Sequence, residues 1–272
     1  MTDRPLVSVI TPSYNYGRFL GPCLDSVRAQ TWPRVEHLVL DACSTDDSRA
    51  VIEARKGQYD LRAWFEKDDG QADAIARGFE RARGEILCWL NADDYWLHDR
   101  VVERAVAALE SCDVVSAGGV YVDEAGRRGK SIEAARSSAE LRHHDPILQP
   151  ATFWRRSVNR PLDKRLHYAF DWQLFLEMEQ GGARFEFIQE EWAAYRMHGV
   201  NKTAADPAKR RREIADILRS SCGPASPQHL WARAVYGGFA AAEKLDSRAL
   251  KRAVQLANLG MCWITGKRIY SC

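Results

Sequence analysis

The chain has 272 residues, 46% hydrophobic and 28% charged, which suits one large core and excludes an intrinsically disordered protein. Its formal charge of +2 is too small to imply a nucleic-acid partner. No run of about 18 apolar residues reads as a membrane span, and the start MTDRPLVSVITPSYN lacks the apolar stretch of a secretory signal.

The charge is unevenly placed. Residues 1–206 carry 27 Lys and Arg against 33 Asp and Glu, a net of −6, whereas residues 207–272 carry 12 against 4, a net of +8. Seven cysteines (23, 43, 88, 112, 222, 262 and 272) include no C-x-x-C pair. An odd, scattered set predicts free thiols in a reducing cytoplasm, with neither a disulfide framework nor a zinc site.

Leu6 to Ile10 is a short apolar, β-branched run stopped by Thr11-Pro12, as expected of a buried strand. From Gly17 the spacing of Phe19, Leu20, Cys23, Leu24 and Val27 predicts a helix, ended by Trp32-Pro33. Val35 to Leu40 is a second strand. It runs into the polar turn Asp41-Ala42-Cys43-Ser44-Thr45-Asp46, in which Ser44 and Asp46 suit the N-cap of a helix that stops near Gly57. Leu61 to Phe65 is a third strand, followed by the loop Asp68-Asp69-Gly70 and a helix over 71–83. Glu85 to Leu90 is a fourth strand, running into Asn91-Ala92-Asp93-Asp94 and a helix over 99–109.

Strand and helix thus alternate four times in about 110 residues, the pattern of an α/β fold with a parallel sheet between helices. Ligands of such sheets bind beyond the carboxyl ends of the strands, where the clusters at 12–15, 41–46, 68–73 and 91–94 all fall. Further on, Val114-Val115 and Val120 to Val122 read as two short strands. Gln149 to Arg155 reads as a strand, 168–179 as a helix and Phe185 to Ile188 as a strand. From Ala208 the pattern is helical, broken at Gly223-Pro224.

Two carboxylates and an amide at a strand end, as in Asn91-Ala92-Asp93-Asp94, can hold a divalent cation against a diphosphate, or simply cap the next helix. Asp41 and Asp46 can accept from nucleobase or ribose donors, or cap a helix. Asp171 lies between Phe170 and Trp172. A carboxylate among aromatics makes a general base, and one opening a helix complements its dipole. There is no G-x-G-x-x-G after the first strand and no G-x-x-x-x-G-K-S/T, which disfavours a dinucleotide fold and excludes a P-loop protein.

In this order the clusters resemble the family 2 glycosyltransferases of the GT-A fold, over residues 6 to 203. Val7 to Asn15 resembles the opening strand and "PSYN" turn, and Asp41 to Asp46 the "DGxSTD" loop. Glu66 to Ile75 resembles "E-x-D-x-G-x-x-D-A", and Trp89 to Asp94 the "LNSDD" form of the D-x-D motif. Tyr195-Arg196-Met197-His198, then Asn201-Lys202-Thr203, is similar to a "YRxH" segment. Ala76 stands where Asn is usual, and Ala42-Cys43 where glycine and a polar residue are usual. Q-x-x-R-W, the mark of processive members, is absent.

The resemblance implies a GT-A-type, Rossmann-like, mostly parallel sheet flanked by helices. Residues 1–206 would form the transferase domain, with 1–110 the nucleotide-binding half and 111–206 the acceptor half. A basic helical appendage would span 207–272. It further implies a nucleotide-sugar donor, UDP-sugar favoured, contacted by Pro12, Tyr14, Asn15, Asp41, Asp68, Arg77, Asn91 and Asp93. Mn2+ or Mg2+ would be held by Asp93, Asp94 and His198, with Asp171 as catalytic base. The acceptor would be a glycan or a lipid-linked molecule. A sugar nucleotidyltransferase would need a Gly-rich basic loop where Pro12 to Asn15 stands; a non-catalytic nucleotide-sugar-binding scaffold is the other rival. In the tail, Arg210 to Arg212, Lys251-Arg252 and Lys267-Arg268 interleave with Trp231, Tyr236, Phe239 and Trp263. That arrangement leaves three uses open: peripheral contact with an anionic membrane face, packing on the domain, or a homodimer contact.

Overall fold

The computed structural model describes residues 4–199, 206–245 and 247–265. Strands β1 (Val7–Ser13), β2 (Val35–Asp41), β3 (Leu61–Phe65) and β4 (Ile86–Trp89) alternate with helices α1 (Gly17–Arg28), α2 (Ser48–Glu53) and α3 (Gln71–Arg81). The strands pair in parallel in the order β3-β2-β1-β4. Every residue of β1 and β4 is buried, because helices cover both faces of such a sheet and leave no wet side for polar alternation. On α1, Phe19, Leu20, Cys23, Leu24 and Val27 are the buried stripe.

The chain continues as β5 (Tyr95–Trp96), α4 (Val101–Ala108), β6 (Val114–Val122), β7 (Arg128–Ile132), β8 (Thr152–Arg155), α5 (Phe170–Gln180) and β9 (Phe185–Arg196). The sheet extends as β4-β8-β6-β9-β5, with β7 paired to β6. β8 is antiparallel to both neighbours, and β9 is parallel to β6. The α/β sheet flanked by helices is therefore as expected, parallel in its first half and mixed in its second.

Several boundaries differ from the sequence reading. The two short strands expected over 114–122 are one, because Gly118 and Gly119 let the backbone pass where a side chain cannot; a Cβ on Gly119 would overlap the Ala193 carbonyl. The strand expected to end at Ile188 runs to Arg196, with register shifts on either side of Gly118. Polar Gln189-Glu190-Glu191 falls in this irregular stretch and hides the strand pattern. Residues 149–151 form a 3-10 turn around Pro150, and β8 starts only at Thr152. β5 is two residues long, too short to show a strand period, and β7 is exposed and polar.

The core centres on Trp89, Trp154, Trp172, Trp192, Phe153 and Phe175. Trp89 meets Trp154 edge-on at 5.7 Å and stacks on Phe175 at 6.1 Å, arrangements aromatic rings favour. The tail forms α6 (Pro207–Cys222), α7 (Pro227–Lys244) and α8 (Arg248–Thr265). Ile217 and Leu218 of α6 and Ala232 of α7 join the main core. α6 and α7 thus pack on the body rather than stand off as a solvated appendage. Lys267 and Arg268, the side chains of Lys251 and Trp263, and Asn201 to Thr203 lie outside the described residues. Among the described residues, no helix is long and apolar enough to cross a membrane, and Cys23, Cys43, Cys88, Cys112 and Cys222 are free thiols.

Candidate active site

The ends of β1 and β2 lie side by side, Ser13 opposite Asp41. Pro12 is buried inside β1 opposite Leu40. Asn15 takes a left-handed backbone, φ 57°, which Asn tolerates better than most residues. Its side chain accepts from the Thr45 N–H at 2.8 Å, and its own N–H donates to Ser44 Oγ at 2.8 Å. Asn15 therefore pins the two loops together. Tyr14 beside it stands 58% exposed. Asp41 is buried and accepts from the Ser44 N–H (2.7 Å) and hydroxyl (2.6 Å). Asp46 joins two helix starts, accepting from the N–H groups of Gly17 (2.9 Å) and Ser48 (3.0 Å).

Asp41 also lines a pocket with Trp64, Glu66, Asp68, Arg77 and Arg81. Burial, and then the charge of Asp73, pushes the Asp68 carboxyl above its ordinary value, against an N–H bond from Gly70 at 2.9 Å and the nearby Arg77. Arg77 is held by Asp73 at 2.5 Å and by the Lys67 carbonyl at 2.9 Å. Asp73 also binds Lys164 at 2.6 Å, tying α3 to the loop that precedes α5.

Beyond β4, Asn91 accepts from Gln71 Nε2 at 2.8 Å and donates to Asp94 Oδ2 (3.2 Å) and Gln149 Oε1 (3.3 Å). Gln149 in turn donates to the Trp89 carbonyl at 2.7 Å. The amide of Asn91 is thus a junction between α3, the strand end and the turn before β8.

Asp93 and His198 meet, with His198 Nε2 3.0 Å from Asp93 Oδ2. The His198 ring is buried, stacked on Phe19 at 4.6 Å and edge-on to Tyr16 at 5.6 Å. Asp94 does not join them as the expected third ligand. It is 2% exposed, and its carboxylate accepts from the Arg196 N–H at 3.1 Å and from Asn91. Burial, and then the charge of Asp93, pushes the Asp94 carboxyl well above its ordinary value. Among the described residues no group of three or more His, Cys, Asp or Glu side chains converges as a metal site. The chain offers one carboxylate and one imidazole, so a cation there would complete its shell from diphosphate oxygens and water. That donor set fits, because divalent ions in phosphate sites are often held by few protein groups.

Arg196 braces this corner. Its guanidinium donates to the carbonyls of Asp93 (3.0 Å), Asp123 (3.3 Å) and Glu124 (2.9 Å), and packs over the rings of Phe19 and Tyr95. Burial, and then Asp93 and Asp94, raises the Tyr16 hydroxyl far above its ordinary range, so it remains protonated.

Asp171 sits in the first turn of α5, its Oδ1 accepting from the Trp172 N–H at 2.8 Å. Phe170 before it packs on Trp89 at 6.1 Å, which ties α5 to the end of β4. Asp145 is close enough to feel the Asp171 charge. Desolvation first and Asp171 second push its carboxyl up. A polar cleft beside this region runs between Gly70–Ala72 of α3 and Lys164–His167, with Lys209 of α6 at its edge.

A sequence model described as Glycosyl transferase family 2 matches residues 8–166. The chain belongs to glycosyl transferase family 2. An uncharacterized glycosyltransferase of Nostoc sp. is 30% identical over 213 residues, 72% of this chain and 66% of the relative. The putative teichuronic acid biosynthesis glycosyltransferase TuaG of Bacillus subtilis is 35% identical over 113 residues, 40% of this chain and 44% of the relative. The match thus spans two thirds or less of these curated relatives' length. Among solved structures, S. aureus TarS 1-349 in complex with UDP-GlcNAc superposes with a TM-score of 0.63 at 17% identity, covering 86% of this chain and 72% of that one. The mannosyltransferase PcManGT from Pyrobaculum calidifontis, in complex with GDP-Man and Mn2+, superposes at 0.64 with 18% identity, covering 96% and 81%. At such identities the likeness establishes the fold, and this family 2 chain has the GT-A architecture of those neighbours.

Some site residues escaped the sequence reading. Tyr16 and Gln71 look like ordinary loop or helix positions, Gln149 like the start of a strand, and Arg196 is legible only as part of the "YRxH" resemblance.

Proposed function

We propose that this family 2 chain is an inverting transferase that moves a single sugar from a nucleoside-diphosphate sugar to a hydroxyl of a glycan or lipid-linked acceptor. The observation that carries this reading is the meeting of Asp93 and His198 beyond β4, linked by the Gln71–Asn91 hydrogen bond to the helix that walls the Asp41–Asp68–Arg77 pocket. In this reading the nucleotide lies along that edge of the sheet, with Asp41, Asp68 and Arg77 on the nucleoside side and Asp93 on the diphosphate side. A uridine donor is favoured, in keeping with the UDP-GlcNAc held by the TarS neighbour; guanosine, as in the GDP-Man complex, is the alternative. The TuaG relative supports a cell-envelope glycan as acceptor.

Asp93 and His198 would hold a divalent cation, Mn2+ rather than Mg2+ because an imidazole joins the carboxylate, and that ion supplies charge neutralisation for the departing diphosphate. Asp94 is a brace for this pair and not a ligand. Asp171 accepts the acceptor's proton as the acceptor oxygen bonds to the anomeric carbon. The bond from that carbon to the diphosphate breaks on the opposite face, its electron pair leaving with the nucleoside diphosphate.

The test is calorimetric titration with nucleoside diphosphates and nucleotide sugars, with Mn2+ and with chelator, followed by turnover with candidate acceptors. Metal-dependent binding of one nucleotide and transfer from its sugar are expected. Binding of a nucleotide sugar without any turnover would instead favour the non-catalytic scaffold.

A further inference from the structure

α5 carries Asp171 but starts without a cap of its own. Its N-cap residue is Ala169, which has no side chain able to accept a hydrogen bond, and the amides of the approach, up to that of Ala169 itself, take their acceptor from another helix. Glu213, in the middle of α6, supplies it. Its Oε1 accepts from the His167 N–H at 2.9 Å, and its Oε2 from those of Tyr168 (2.7 Å) and Ala169 (3.2 Å). Three successive amides converge on one carboxylate that is only 7% exposed. This is the role the N3 acid plays in a capping box, performed here by another helix. The charge also complements the positive end of the α5 dipole.

Glu213 is itself held firmly. One turn further along α6, Ile217 and Leu218 are buried in the main core. The segment it grips, residues 159–169, has no regular hydrogen-bonded structure of its own beyond single turns. Asp171 follows Ala169 by two residues. The packing of Phe170 and Trp172 seats the body of α5, and the chain that enters it, two residues ahead of Asp171, is held by a residue of the C-terminal extension.

We propose that Glu213 is a positioning residue for the proton-accepting carboxylate, which makes α6 a working part of the transfer site. The inference rests on the reading of Asp171 as the base. Misplacement of a reacting group by about 1 Å costs on the order of 100-fold in rate. Glu213→Ala should therefore lower kcat by about 10- to 100-fold while leaving the Kd for UDP with Mn2+ within about twofold of the parent. Glu213→Gln keeps the shape and one acceptor oxygen but turns an NH2 towards at least one of the three amides. It should stay folded and show a smaller loss of kcat, again with donor affinity unchanged.

The experiment measures kcat, acceptor KM, nucleotide Kd and the thermal melt for the full chain and for the E213A, E213Q and D171N variants. Full activity of E213Q, or a fall in nucleotide affinity that parallels the fall in kcat, overturns the positioning role. If E213A does not fold, E213Q decides alone. Retained turnover in D171N sinks the base assignment itself. An inactive D171N beside fully active Glu213 variants sinks only the present inference.

Discussion

His198 Nε2 lies 3.0 Å from Asp93 Oδ2 although 105 residues separate the two. The contact exists because β9 runs on to Arg196 and pairs, through Ala193 and Ala194, with β5 just after the Asn91–Asp94 turn. If this pair holds the cation, Asp93→Ala should lower Mn2+-dependent affinity for the donor nucleotide by at least about 10- to 100-fold, the loss seen even for residues that only support a ligand. His198→Ala should lower it in the same direction. Titration with and without chelator reads this directly, and unchanged Mn2+-dependent affinity in both variants would refute it.

Asp171→Asn removes the proton acceptor and keeps the shape. Turnover should drop by about 100- to 10,000-fold, with nucleotide binding nearly intact. Lost binding would make Asp171 a structural residue of the α5 start.

Arg196→Lys tests the brace. The guanidinium satisfies three carbonyls from a buried position, and an ammonium cannot span them with the same planar fork. A loss of about 2–3 kcal/mol in urea unfolding is expected, together with weaker metal-dependent nucleotide binding. A change below about 0.5 kcal/mol would mean that the carbonyls find other partners.

His37 gives a pH prediction away from the site. It is buried on β2 against Thr11 Oγ1 (2.8 Å) and Tyr59 Oη (3.0 Å), and burial lowers its pKa from 6.5 to about 3. The folded state keeps it neutral, so the unfolded chain binds the extra proton. Its stabilisation is complete above pH 6.5 and is lost as the pH falls towards 3, by about 2 kcal/mol between pH 7 and pH 5. His37→Gln should be less stable than the parent at pH 7 but lose less between pH 7 and pH 5. Equal losses in urea midpoints for both proteins would remove His37 from the acid response.

The parallel half of the fold was legible from sequence because a strand buried on both faces must be apolar throughout, as in Val7 to Ile10, and helices over it must show a 3.6-residue stripe, as in Phe19 to Val27. The polar clusters after each strand marked the site edge for the same topological reason. The second half was harder to read. Gln189 to Glu191 interrupts β9 with charges at its irregular stretch, and β5 and β7 owe their pairing to neighbours rather than to their own composition.

The sequence by itself determined the α/β class and the polar strand ends that gather at one edge of the sheet, with Asp41, Asp68, Asn91 and Asp93 among them. Only the tertiary structure decided which of them face one another. It turned Asp94 inward to the Arg196 amide and left Asp93 to pair with His198. It also folded a basic tail onto the body so that Glu213 holds the start of the helix carrying Asp171. The local pattern of a chain records which face of an element is buried. The partner of a buried carboxylate is chosen by long-range packing, and neither periodicity nor net charge encodes it.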